Sequence, residues 1–149
     1  MAGVVASSAG TRAMIGHPMH PDAAEVLERL GGDPTGFVGR QLSAKVASDA
    51  DLVLTMTRSH RHAVLEHAPN SLSRTFTIGE AASLVADFGA QSILDLARLR
   101  PQLRQSEVVE IRDPMGHGAQ VFAEIGLQIA ELMNPVLVML KNILARQYR

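Results

Sequence analysis

The run Asp51-Leu52-Val53-Leu54-Thr55-Met56 constrains the fold more than any other stretch of the chain. Its apolar residues are nearly continuous rather than alternating. A strand of that kind must be covered on both faces, which is the position of a parallel strand flanked by helices. Thr57 follows as a suitable N-cap, Val64 and Leu65 fall where a helix turns inward, and Pro69-Asn70 ends that helix. Thr75-Phe76-Thr77-Ile78 reads as the next strand, stopped by Gly79. Strand, helix and strand in this order predict the α/β class with a parallel sheet.

Other elements extend the pattern in both directions. Val4 to Ser8 is a candidate strand, ended by Ala9-Gly10-Thr11. Pro21 and Asp22 suit the first turn of a helix that carries Ala23, Ala24, Val26, Leu27 and Leu30 and stops at Gly31-Gly32. Asp33 to Gly36 is a turn, and Ser43 caps a brief helix over Ala44 to Ser48. Glu80 to Asp87 and Ser92 to Leu99 read as helices, with Pro101 interrupting the second. Asp113-Pro114-Met115-Gly116-His117-Gly118 is a loop by composition. From Ala119 to about Arg146, Phe122, Ile125, Ile129, Leu132, Met133, Val136, Leu140 and Ile143 recur at helical spacing. Pro135 removes a backbone donor there and is expected to kink or split the helix.

A chain of 149 residues suits one domain, taken as residues 1–149. A net charge of −1 offers no broad positive field, and 3% aromatic residues offer no stacking platform, so nucleic acid is an improbable partner. No apolar stretch approaches the roughly 20 residues that cross a bilayer, and Met1 to Val5 lacks the basic start of a secretory leader. A cytoplasmic protein without a membrane partner is the expectation. The sequence contains no cysteine, so these residues supply no disulfide, thiolate ligand or thiol nucleophile.

Four ordered stretches resemble the low-molecular-weight protein-tyrosine phosphatases and the arsenate reductases that share their fold. Ser8-Ala9-Gly10-Thr11 is similar to an S-A-G-T segment after that family's second strand. Gly16-His17-Pro18-Met19-His20-Pro21-Asp22-Ala23-Ala24 resembles the lead into its second helix. Gly39-Arg40-Gln41-Leu42 and Asp49 to Met56 are similar to its A-R-Q-L and D-L-I-L-x-M segments. Arg112-Asp113-Pro114 resembles the loop that carries its general acid. The resemblance implies a three-layer αβα fold with a mostly parallel sheet.

Family members begin with a strand, a C-x5-R-[ST] phosphate loop and a helix. The resemblance implies that the loop wraps phosphate in backbone N–H groups, that its cysteine attacks phosphorus as thiolate, and that its arginine grips two oxygens. Here the sequence starts at what resembles the second strand, so roughly 30 residues of a βαβ unit have no counterpart. Ser106 and Arg112 have S-x5-R spacing. The intervening Glu107-Val108-Val109-Glu110-Ile111 holds two carboxylates and no glycine, a poor cradle for a dianion. Ser7 and Ser8 have no base beside them in sequence to activate a hydroxyl.

The resemblance places Asp113 at the general-acid position, with no phosphocysteine step for it to serve here. It places Ser8 among the groups that support the phosphate loop, Arg40 at the A-R-Q arginine, and Met115 where many members carry an aromatic wall for phosphotyrosine. Phe37 stands where some members use a histidine. His17, His20 and Asp22, and separately His60 and His62, have residue types that zinc accepts. The first group already fits a helix lead-in, and no metal or other cofactor is expected.

The resemblance also places the first strand inside the sheet, between the second and third. Without it those strands lose a shared neighbour and expose backbone donors and acceptors. The two strands could close together, a partner chain could donate a strand, or the natural product could be longer; altered pairing with dimerisation is the physical expectation. The expected function is a phosphatase-like protein without phosphomonoesterase activity. The alternatives are a dimerising interaction module, a fragment of a longer active tyrosine phosphatase, or an enzyme using another site around the histidines.

Overall fold

The structure is a computed structural model, and it describes residues 3–147; Met1, Ala2, Tyr148 and Arg149 of the expected 1–149 domain lie outside the described residues. In chain order the elements are α1 (Pro21–Arg29), α2 (Ala44–Ser48), β1 (Val53–Thr55), α3 (Arg58–His67), β2 (Thr75–Thr77), α4 (Ile78–Ala86), α5 (Ile93–Leu99) and α6 (Ala119–Gln147). Among the described residues β1 and β2 form a parallel pair, with Val53, Leu54 and Thr55 opposite Thr75, Phe76 and Thr77.

Successive side chains of a strand point to opposite faces, and both faces of this pair are covered. Leu52, Leu54 and Phe76 pack on one side into a core of Leu84, Leu96, Val136 and Met139, drawn from α4, α5 and α6. Val53 packs on the other side with Leu42, Ala47, Val64 and Ala68, around α2 and α3. The α/β sandwich read from the continuous apolar strand is therefore built, around a narrow sheet.

Side-chain oxygens of Ser43, Thr57 and Ser92 cap α2, α3 and α5, satisfying amides that a helix start leaves unpaired. Gly79 does not stop a strand as expected but lies in the first turn of α4. Thr77 and Glu80 close a capping box there, each side chain accepting from the other residue's amide, and the backbone turns directly from β2 into helix. Pro135 does not split α6, which runs unbroken from Ala119 to Gln147. Val136 and Met139, just beyond the proline, are buried in the core.

Two further expectations are corrected. Residues 4–8 are not a strand: they are exposed, and Val5 reaches 98% of full exposure. A strand exists only where a neighbour takes its hydrogen bonds, and among the described residues none runs beside this segment. It is tied down at Gly10 instead, whose N–H donates to the Arg40 carbonyl (2.8 Å) and whose carbonyl accepts from Leu42 N–H (2.9 Å). Residues 4–8 thus do not close onto β1. The reading of bilayer-length segments was also too strict. Of the described helices α6 is long and apolar enough to cross a membrane by length and composition, although its Phe122, Ile125, Val136 and Met139 are buried in the fold.

Candidate functional site

The segment from Gln105 to Asp113 is strapped across the carboxyl ends of both strands. Ile111 N–H donates to the carbonyl of Met56, just past β1 (3.0 Å), and the Ile111 side chain is buried. Glu110 accepts from the Arg58 amide (2.6 Å) and from Arg58 Nε (3.3 Å) at the start of α3. The Arg58 amide is the main reason the Glu110 carboxyl sits below its ordinary value, against a small cost of burial. Val109 packs its carbonyl on Gly79, where no side chain would fit. Open sheets of this class place their chemistry at the carboxyl ends of strands.

Asp113 emerges from this strap exposed, with its Oδ1 accepting from Met115 N–H (2.9 Å) in a local turn. Met115 is 53% exposed. Arg112 lies 3.8 Å from Glu124, and Ser106 sits in a short 3-10 turn, so the S-x5-R pair forms no cradle. On the other side of the chain the fold joins Ser8 and Arg40: Arg40 Nε donates to the Ser8 carbonyl (3.1 Å). Gln41 fastens the same loop, donating to the Thr11 carbonyl and accepting from Ala13 N–H. No hydrogen bond or ion pair links Asp113 to Ser8 or Arg40 among the described residues.

His20 has a structural assignment. Its Nδ1 accepts from Asp22 N–H (3.2 Å), capping α1, and its ring stacks on Phe122 at 4.7 Å between centroids. His62 lies 3.3 Å from Glu66 on the face of α3. Among the described residues no group of three His, Cys, Asp or Glu side chains is placed to hold a metal ion. A groove of about 280 Å³ lined by Ser83, Asp87, Phe88, Gln102, Arg104 and Glu107 contains none of Ser8, Arg40, Asp113 and Met115.

One polar cluster escaped the sequence reading. Glu80 is fully buried, pairs with the Arg61 guanidinium, and accepts from Gln105 Nε2 (3.1 Å) and Thr77 N–H (2.8 Å). Burial is the largest influence on its carboxyl and pushes it up. Arg61, the Thr77 amide and Gln105 together outweigh burial, so Glu80 sits below its ordinary value. Arg100 lies 3.9 Å over the Phe76 ring and donates to the carbonyls of Leu72 and Thr75. The T-x-x-E spacing of Thr77 and Glu80 was the available signal, a capping-box pattern.

A family model described as low molecular weight phosphotyrosine protein phosphatase matches residues 1–86. The chain belongs to that family. Ser8 and Arg40 lie inside the matched span, and Asp113 and Met115 beyond it. The low molecular weight protein-tyrosine-phosphatase Etp of Escherichia coli K12 is 35% identical over 78 residues, 52% of this chain and 53% of Etp. The chain spans about half the length of the curated relatives it matches. Among solved structures, the YwlE arginine phosphatase of Geobacillus stearothermophilus superposes with a TM-score of 0.75 at 22% identity, over 98% of this chain and 80% of that one. The low molecular weight protein tyrosine phosphatase of T. tengcongensis gives 0.66 at 25% identity, over 88% of this chain and 74% of that one. These likenesses show that the α/β fold is shared with arginine and tyrosine phosphatases.

Proposed function

We propose that these 149 residues form a phosphatase-family scaffold that does not hydrolyse phosphomonoesters unaided. The observation that carries the reading is the absence of any cysteine from the sequence. Hydrolysis through a phosphocysteine needs a thiolate, seated where amide donors and an arginine neutralise the phosphoryl oxygens. Asp113, which the resemblance sets at the general-acid position, is exposed and, among the described residues, engaged only in its own turn. A free carboxylate without a nucleophile has no leaving group to protonate. In this reading the strap holds Asp113 where a complete phosphoryl site would use it, while Ser8 and Arg40 supply the support of a neighbouring loop. The test is turnover of p-nitrophenyl phosphate by the purified chain. No release above background is expected, and robust release abolished by Asp113→Asn would overturn the reading.

A second reading, a fragment of a longer active tyrosine phosphatase, draws on the chain's span of about half its curated relatives. The genomic DNA upstream of Met1 decides it: an in-frame C-x5-R-[ST] supports it, and its absence removes it. A third, a self-associating interaction module, draws on the side of β1 that has no strand beside it among the described residues. Size-exclusion with light scattering separates it from the others, because a clean monomer at micromolar concentration speaks against it.

A further inference from the structure

We propose that the outward face of α6 is an interface between two copies of this chain, paired antiparallel about Val136. The proposal rests on the helix alone, and on neither the inactivity reading nor the border of β1.

The inward face of α6 belongs to the core, where Phe122, Ile125, Val136 and Met139 are buried. On the opposite side Leu127, Glu131, Asn134, Val138, Lys141 and Ala145 are all exposed. They follow one another at steps of 4, 3, 4, 3 and 4 residues. Such steps keep one stripe in line along a helix, and they are the spacing of the seam between paired helices. Leu137, also exposed, borders the stripe beside Val138. Leu30 of α1 flanks the Leu127 end: it is exposed, and its Cδ1 comes within 4.0 Å of a Cβ built on Gly126.

The stripe is symmetric. Leu127 and Ala145, Glu131 and Lys141, and Asn134 and Val138 lie equally far from Val136 along the chain. An antiparallel partner centred there sets each residue against the other member of its pair. Glu131 then meets Lys141 of the other copy, and the two-fold axis repeats the contact. Leu127 meets the small Ala145, which leaves room for Leu30. Asn134 against Val138 is the polar position, which costs stability and fixes register. A parallel pair would instead oppose Glu131 to Glu131 and Lys141 to Lys141, a repulsion at both places.

Among the described residues neither Glu131 nor Lys141 has an ion-pair partner within the chain. Pro135 adds a second acceptor at the same place. It has no N–H, so the Glu131 carbonyl lacks its usual donor four residues on. The ammonium group of the other copy's Lys141 has protons for both the carboxylate and that carbonyl. Although α6 is long and apolar enough to cross a membrane, a bilayer is the poorer occupant. It would take Glu131, Asn134 and Lys141 into hydrocarbon without partners, whereas a second copy supplies partners to both charges.

The experiment is sedimentation equilibrium of the 149-residue chain over a concentration series. A monomer–dimer equilibrium is expected. Glu131→Lys and Lys141→Glu, each at an exposed position, should weaken it about tenfold or more, because each turns both attractions into repulsions. Mixed in equal amounts the two variants should dimerise again, since every seam charge then meets its opposite, and unfolded chains could not be rescued in this way. A monomer at every concentration overturns the proposal, as do variants that stay monomeric on mixing. A dimer that neither substitution weakens also overturns it, giving the contact to another surface. So does co-flotation of monomer with phosphatidylcholine vesicles, which would give the helix to a lipid surface. The readout contains no turnover, so its failure is separable from that of the inactivity reading.

Discussion

Gly79 and Val109 touch backbone to backbone: the α-carbon of Gly79, in the first turn of α4, faces the Val109 carbonyl with no space for a methyl group. The obstacle is main chain, so it cannot rotate aside. Gly79→Ala should push the strap off the sheet, costing about 1–3 kcal/mol. Denaturant titration measures that loss, and hydrogen exchange should show Ile111 among the amides that open. An unchanged midpoint would mean that the strap is not seated as described.

Glu80→Gln isolates the buried charge, because glutamine keeps the N3 side of the capping box. The variant leaves Arg61 facing a neutral amide and should lose about 1–3 kcal/mol at neutral pH. The pH dependence follows from direction. Glu80 titrates below its ordinary 4.5 in the folded chain, so its contribution is complete above that pH and is lost as pH falls through the lower folded value. Glu110 acts in the same sense. Acid unfolding monitored by circular dichroism should therefore be shallower in Glu80→Gln, and parallel acid limbs would contradict the pairing.

Gly126 sets how closely α1 meets α6, since a Cβ there would collide with Cγ1 of Val26. Valine is stiff in a helix and cannot swing clear. Gly126→Ala should lower the melting temperature although alanine favours helix, and adding Val26→Ala should restore part of the loss. Additive effects in that double-mutant cycle would show that the two positions do not touch.

Phe76→Ala removes a fully buried ring that joins the sheet to α4, α5 and α6 and supports the Arg100 guanidinium. A loss of about 3–5 kcal/mol is expected by denaturant titration, enough to unfold a marginal domain. A small loss would place the core elsewhere.

Local patterns were the legible part of this fold. The continuous run at Leu52–Leu54 identified a covered strand, Ser43, Thr57 and Ser92 marked helix starts, and the spacing from Phe122 to Ile143 marked α6. What escaped depends on partners far apart in sequence. Val4 to Ser8 has strand composition, but strand formation needs a neighbour that composition does not show. Gly79 read as a stop because the Thr77–Glu80 box was overlooked. Glu80 drew no attention because Arg61 and Gln105 stand 19 and 25 residues away. The site divided in the same manner. The motifs named Ser8, Arg40, Asp113 and Met115 as candidates, whereas the contact of Arg40 with the Ser8 carbonyl and the strap beneath Asp113 are products of folding.

The seal that Arg100 places on one border of the sheet has a consequence for assembly. Were copies of the chain to pair strand to strand, the border left open among the described residues is the opposite one, along β1. Once two molecules meet there, neither has a border left to offer, so the association terminates at a pair and cannot propagate into a fibre.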